Sequence, residues 1–160
     1  MMNQKEKVVK AKLRLNINNT LLTVSFTIFA LIVTLNPPLL KSSFIIPLQL
    51  TLSIPLLLTS IFARSKLAYA NKPEMWNEYG FFTFLIGYAF LINVVGILLS
   101  ISINPKFGLI FLSFNLVMAI SYSIFEIIEK KEKLASRIKK DLFFAALLLF
   151  GGILPSLGFY

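Results

Sequence analysis

The chain has 160 residues, 57% of them hydrophobic, and a mean hydropathy of +0.80. A soluble domain of this length is less apolar, so the composition predicts an integral membrane protein. The sequence contains no Cys and no His, which excludes disulfides, thiol redox chemistry and zinc or haem ligation by these residues. We therefore expect no metal and no other cofactor.

The formal net charge of +9 is explained by membrane topology. The Lys and Arg residues lie in blocks between the apolar runs, and no run carries a charge at its middle. No recognition helix or aromatic-basic sheet accompanies these blocks. We therefore expect no binding of nucleic acid.

Residues 1–17 form a basic segment whose apolar positions recur every four residues. This spacing predicts a short helix on the membrane surface, ahead of the first span. The apolar run that follows is too long for a secretory signal. It ends in Asn36-Pro37-Pro38, where a signal would have small residues at a cleavage site. We interpret it as a retained anchor.

Long apolar runs predict an all-α, polytopic helical bundle with a single membrane domain. The run at 80–103 carries no charge and would rise about 36 Å as a helix, enough to cross a bilayer core. Gly151, Gly152 and Pro155 interrupt the last run, so four spans are the alternative to five. The five predicted spans are 18–35, 44–63, 80–103, 107–128 and 142–160.

Two similar turns raise the possibility of an internal repeat. Asn36-Pro37 follows the first span and Asn104-Pro105 follows the third, and each resulting hairpin has one Lys near its turn. Two parallel two-helix hairpins would produce this pattern. The alternative is that Asn-Pro is simply a common way to end a helix.

The segment 129–141 is the most charged part of the chain, with six Lys or Arg residues and three acids. Its apolar positions keep a four-residue spacing, which predicts an amphipathic helix at the membrane surface or a helical extension that turns back. Its cations should attract anionic lipid headgroups. The candidate lipid contacts are Lys130, Lys131, Lys133, Arg137, Lys139 and Lys140.

Charge asymmetry predicts the orientation. If the N-terminus is cytoplasmic, 14 of the 16 Lys and Arg residues fall on the cytoplasmic side. All seven acids fall there too. We therefore expect a multi-pass protein of the cell membrane, and five spans would place the C-terminus outside.

Small and weakly polar residues recur along one face of the first span, at alternating steps of three and four. Such a stripe can line a water-filled pathway in an oligomer. It can equally form a helix–helix contact, because small residues and threonines let backbones approach. The candidates for either role are Thr20, Thr23, Thr27 and Thr34.

The third and fourth spans each carry one asparagine near the middle, Asn93 and Asn115. An unpaired amide is costly in hydrocarbon, so we expect these side chains to bond to each other across the hairpin or to a neighbouring subunit. A substrate or ion site is the alternative. Ala89, Asn93, Gly96 and Ser100 also form a close-packing face, with Gly96 at the nearest approach.

Two carboxylates end the fourth span, Glu126 and Glu129. A ring of carboxylates at a pore mouth selects cations, so these residues are candidates for that role. The alternative is a solvated interface in which they pair with neighbouring basic residues.

No ionisable residue lies at mid-membrane, and no nucleophile has a base beside it, so we expect no catalytic site. The sequence favours a non-catalytic structural or accessory subunit of a membrane protein assembly. The alternative is a homo-oligomeric channel or passive permeation pathway lined by hydroxyl and amide side chains. The sequence does not separate these two functions from a third, a pocket that binds lipid or another apolar molecule. The expected partners are anionic lipids on the cytoplasmic side and other membrane subunits or copies of this chain.

Overall fold

The computed structural model describes residues 4–35, 38, 43–67, 70, 72–129 and 134–158. Every regular element in this part of the chain is helical, which confirms the all-α prediction. The elements are α1 (Gln4–Leu35), α2 (Ile45–Lys66), α3 (Pro73–Ser102), α4 (Pro105–Glu129), α5 (Leu134–Leu148), a π-helical turn (Leu149–Ile153) and α6 (Leu154–Ser156).

Four helices in the described ranges are long and apolar enough to cross a membrane. They span Lys12–Thr34, Ile45–Lys66, Pro73–Ser102 and Pro105–Ile128, at the positions of the first four predicted spans. They support a protein embedded in a membrane. The fifth span and the hairpin repeat stay predictions, because α5 alone has only 15 residues.

Three helices begin earlier than the apolar runs indicate. The basic segment predicted as a separate surface helix is continuous with the first span in α1. Likewise, α3 begins at Pro73, and α5 begins at Leu134 inside the charged segment. The reason is that Lys, Arg and Glu are good helix formers. Hydropathy marks the part of a helix that suits lipid, and it does not mark where the helix ends.

The Asn104-Pro105 turn ends one helix and also starts the next. The Oδ1 atom of Asn104 accepts a hydrogen bond of 3.0 Å from the backbone N–H of Lys106. Pro105 occupies the first position of α4, where its fixed φ suits a helix and its missing N–H costs nothing. The dipeptide therefore caps α4 directly.

The chain divides within α3 into two compact units, Met1–Tyr88 and Ala89–Tyr160. In the first unit, α1 packs against α2. The buried residues of α1 are Asn18, Ser25 and Ile32, each seven positions apart. The fully buried apolar residues of α2 are Ile46, Leu50, Leu57 and Ala63. This seven-residue spacing is typical of helices that pack side by side along their length.

In the second unit, the rest of α3 packs closely against α4. A Cβ atom added to Gly96 would lie 2.6 Å from Cγ of Leu112. One added to Gly108 would collide with Oγ of Ser100 and with the backbone oxygen of Gly96. Gly96 and Ser100 of the predicted close-packing face therefore lie against α4.

Candidate functional site

The hydroxyl of Ser60 links three helices of the first unit. It donates to the backbone oxygen of Gly80 at 2.6 Å and accepts from Nδ2 of Asn18 at 2.9 Å. The Nε–H of Arg64 also reaches it, at 3.4 Å. Asn18 and Ser60 are buried, so the cluster satisfies polar groups that would otherwise be costly inside the protein.

Arg64 is the unexpected member of this cluster. The sequence places it in the loop after the second span, whereas the structure places it inside α2 with 5% of its surface exposed. Its Cζ atom lies 5.6 Å from the centre of the Phe84 ring. Its Nη1 atom is buried and has no hydrogen-bond acceptor in the described part of the chain. No carboxylate among the described residues forms an ion pair with it.

A second arginine lies beside this cluster. Arg14 is exposed, and its Nη1 donates to Oδ1 of Asn77 at 3.0 Å. It lies one helical turn before Asn18 in α1, so it shares the side of α1 that bonds to Ser60 beside Arg64. Lys66 is the last residue of α2, and its Nζ lies 5.7 Å from the centre of the Trp76 ring. We call Arg14, Arg64, Ser60, Asn18 and Asn77 the arginine cluster.

The sequence contained a signal for this cluster that hydropathy alone does not reveal. Ser53, Ser60 and the intervening Leu57 follow the buried face of α2, and Arg64 continues that face by one more turn. Extending the periodicity past the apolar run would have placed Arg64 inside the bundle.

The threonine stripe of α1 is exposed along its length: Thr20, Thr23, Thr27 and Thr34. It lies about 180° around the helix from the buried Asn18, Ser25 and Ile32. Three of its hydroxyls donate to the carbonyl four residues earlier, at 2.9–3.0 Å. The stripe therefore faces away from α2, and the hydroxyl donors of Thr20, Thr23 and Thr27 are already satisfied by the helix.

The predicted hydrogen bond between Asn93 and Asn115 is wrong. Nδ2 of Asn93 donates to the backbone oxygen of Leu147 in α5 at 3.0 Å. Nδ2 of Asn115 donates to the backbone oxygen of Phe111 in its own helix at 2.9 Å. A similar predicted depth in the membrane does not specify which way a side chain points around its helix.

The side-chain amide of Asn93 is fully buried beside the π-helical turn that follows α5. Its Oδ1 atom has no hydrogen-bond partner in the described residues. A side chain at Gly152, in the π-helical turn, would collide with that oxygen. Glycine is therefore required at position 152, because any side chain there would keep this turn from lying against Asn93.

Glu126 is paired inside the second unit. Nη1 of Arg137 lies 2.6 Å from Oε2 of Glu126, and Arg137 also donates from Nε to Oγ of Ser123 at 3.1 Å. Ser123 in turn donates to Oδ1 of Asp141 at 2.7 Å. The Cζ atom of Arg137 lies 5.2 Å from the centre of the Tyr122 ring. The local pairing considered as the alternative to a pore mouth is what the structure shows for Glu126.

The same network corrects one predicted lipid contact. Arg137 points at α4, with 18% of its side chain exposed, so it is not a free cation for headgroups. Lys139 is exposed and Lys140 is half-buried. Lys130, Lys131, Lys133 and the side chain of Glu129 lie outside the described residues. No three carboxylates in the described ranges lie close enough together to hold a metal ion.

Replacing Arg137 by Gln should lower the free energy of unfolding by up to about 1 kcal/mol, because its ion pairs are partly exposed. Lys139→Gln removes the same charge from an exposed position and serves as the control. Thermal unfolding in detergent should show a difference between the variants that shrinks as salt is added. Equal stability of both variants at low salt would contradict the network.

One apolar hollow of about 310 Å³ lies in the second unit. Its lining residues are Phe90, Phe143, Ala146, Leu147, Phe150 and Gly151. They carry no charge, which fits the alternative of an apolar pocket for lipid. None of the predicted site residues lines it.

No protein-family model, curated protein or solved structure matches this chain. A function therefore has to be inferred from the geometry of its own residues. The features of the described residues that bear on function are the arginine cluster, the buried Asn93 amide and the exposed threonine stripe of α1.

Proposed function

We propose that this protein is a non-catalytic structural or accessory subunit of a membrane protein assembly. The observation that carries the proposal is the exposed threonine stripe of α1, directly opposite the face that packs on α2. A helix that is occupied on one side and presents small residues on the other is suited to a second helix contact.

The chemistry of the stripe supports contact with protein. Thr20, Thr23 and Thr27 donate their hydroxyl protons to their own helix, so burying them against another helix leaves no donor unpaired. The side chains are short, which allows two backbones to approach closely. Dispersion and close packing then drive association, since lipid offers no hydrophobic gain between helices.

The orientation and lipid contacts belong to the same proposal. The N-terminus is cytoplasmic, Lys139 and the neighbouring basic residues contact anionic headgroups, and a fifth span places the C-terminus outside. The charge asymmetry of the sequence supports this arrangement. The helical path Leu134–Ser156 rises about 34 Å, which is long enough for a span that starts in the charged segment.

Thr27→Leu should weaken the assembly by about threefold to tenfold while leaving the stability of the chain itself unchanged. Thr51→Leu is the matched control, since Thr51 is an exposed threonine on α2 outside the stripe. Extraction in mild detergent, followed by mass measurement of the intact complex, gives both the partners and their occupancy.

The composition of that complex decides between the two functional classes. Unrelated membrane subunits that are lost from the Thr27→Leu variant alone would support the accessory role. A closed ring of copies, with ion or solute flux in liposomes, would favour the channel instead. A monomer with no associated protein, or equal losses in both variants, would overturn the proposal.

A further inference from the structure

Arg64 is a buried cation without a counterion in the part of the chain that the structure describes. Removing a guanidinium from water is costly unless an anion or a full set of acceptors replaces the water. Here Phe84 offers a ring face and Ser60 offers one weak acceptor at 3.4 Å, while Nη1 has none. The protein therefore holds a hydrogen-bond donor and a charge that are only partly compensated.

A second positive charge lies on the neighbouring helix α1. Arg14 has the same charge as Arg64 and lies one helical turn before Asn18 in α1, and Asn18 bonds to the same Ser60 hydroxyl that Arg64 reaches. Among the first-unit acids whose side chains the structure describes, Glu74 and Glu78 are exposed, and neither forms an ion pair with the two arginines. Two guanidinium groups near each other repel because their charges have the same sign. An anion bound between them would attract both and offset that repulsion.

From this arrangement we propose that Arg14 and Arg64 form a binding site for a phosphate group. A guanidinium presents paired N–H donors in a plane, which match two oxygens of a phosphate. Arg14 is exposed and gives access, and Arg64 forms the buried wall. Both residues lie in helices able to span a membrane, within the Lys12–Thr34 and Ile45–Lys66 segments. A lipid headgroup and a soluble phosphate share the chemistry that this site recognises.

The surrounding contacts hold both donors in place before any ligand arrives. Asn77 fixes Arg14 through a 3.0 Å hydrogen bond, and Ser60 is itself fixed by Asn18 and Gly80. The close approach of Gly80, whose added Cβ would lie 3.4 Å from Cγ of Arg64, brings α3 against the arginine. Preorganised donors bind with less loss of conformational entropy, which favours affinity.

Trp76 provides the measurement. It is the single tryptophan of the chain, it neighbours Asn77, and its ring lies beside Lys66. Protein in a phosphate-free, nonionic detergent is titrated with short-chain phosphatidic acid while Trp76 emission is recorded. Diacylglycerol with the same acyl chains tests whether the phosphate is needed. Inorganic phosphate tests the soluble source.

We expect a saturable change in Trp76 emission with phosphatidic acid and none with diacylglycerol. Arg14→Gln should weaken the apparent affinity at least about tenfold, because it removes a charged hydrogen-bond donor. Arg64→Gln should do the same, and Arg64→Lys should give an intermediate affinity, since it keeps the charge but loses the paired donors. Lys106→Gln, which removes one exposed charge in the second unit, should have no effect.

Saturation by inorganic phosphate at comparable concentration would assign the site to a soluble ligand, and its absence would assign it to a lipid headgroup. Either result supports the phosphate site. Equal responses to phosphatidic acid and diacylglycerol would overturn it. So would an Arg14→Gln variant that binds as well as Lys106→Gln. Because Arg14 is exposed, this variant keeps the test valid even if Arg64→Gln fails to fold.

Discussion

Gly108→Ala is expected to destabilise the protein by about 1–3 kcal/mol, even though alanine is the better helix former. The added methyl group would collide with the backbone oxygen of Gly96 and with Oγ of Ser100. A serine side chain can rotate, but a backbone carbonyl inside a helix cannot move without displacing α3. The free energy of unfolding, from titration with a denaturing detergent, measures the effect.

Two further alanine variants make this prediction specific. Gly96→Ala should cost less than Gly108→Ala, because its added Cβ meets only side-chain atoms of Leu112. Ser113→Ala places the same residue at an exposed position of α4 and should change stability by no more than about 0.5 kcal/mol. A stable Gly108→Ala variant, or a ranking in which Gly96→Ala is worse, would show that α3 and α4 do not cross as described.

Asn93→Leu should lower the free energy of unfolding by about 1–3 kcal/mol. The substitution removes the donor that binds the backbone oxygen of Leu147, and it places methyl groups where Asn93 already fits tightly against Gly152. Side-chain hydrogen bonds in membranes average about 0.6 kcal/mol, so a larger loss would report the added strain. Unfolding in a denaturing detergent is again the measurement.

Asn115→Leu is the matched control for Asn93→Leu. Asn115 is half-buried and bonds only within its own helix, so its removal leaves the packing of α4 intact and should be close to neutral. Similar losses at both positions would mean that Asn115 has a partner that its local bond does not reveal. If Asn115→Leu loses assembly while its free energy of unfolding is unchanged, Asn115 likewise has a partner outside its own helix.

Much of the helix arrangement could be predicted from local information. The first four spans were predicted because lipid-facing segments must be continuously apolar, and a helix satisfies its own backbone. The close-packing face with Gly96 at its centre was also predicted, since small residues at helical spacing have few other uses in a membrane. Gly108, the matching residue on α4, carries no such repeat around it and was not identified.

The partners of the polar residues could not be predicted in the same way. Asn93 and Asn115 have similar depths, yet Asn93 bonds to α5 while Asn115 bonds to its own helix. Arg137 was expected to contact lipid, and the structure pairs it with Glu126 instead. A side chain's partner depends on the direction in which it leaves its helix and on which helix stands there, and neither follows from spacing alone.

The amino-acid sequence by itself determined that the chain is helical and suited to lipid, because hydropathy and the helical period depend only on neighbouring residues. It also determined the four helices long enough to cross a membrane. Only the tertiary structure decided that α1 turns its threonines away from α2, and that Arg64 is buried beside Arg14. Those facts depend on how separate helices pack, since burial of a charge becomes visible only when the neighbouring helices are in place.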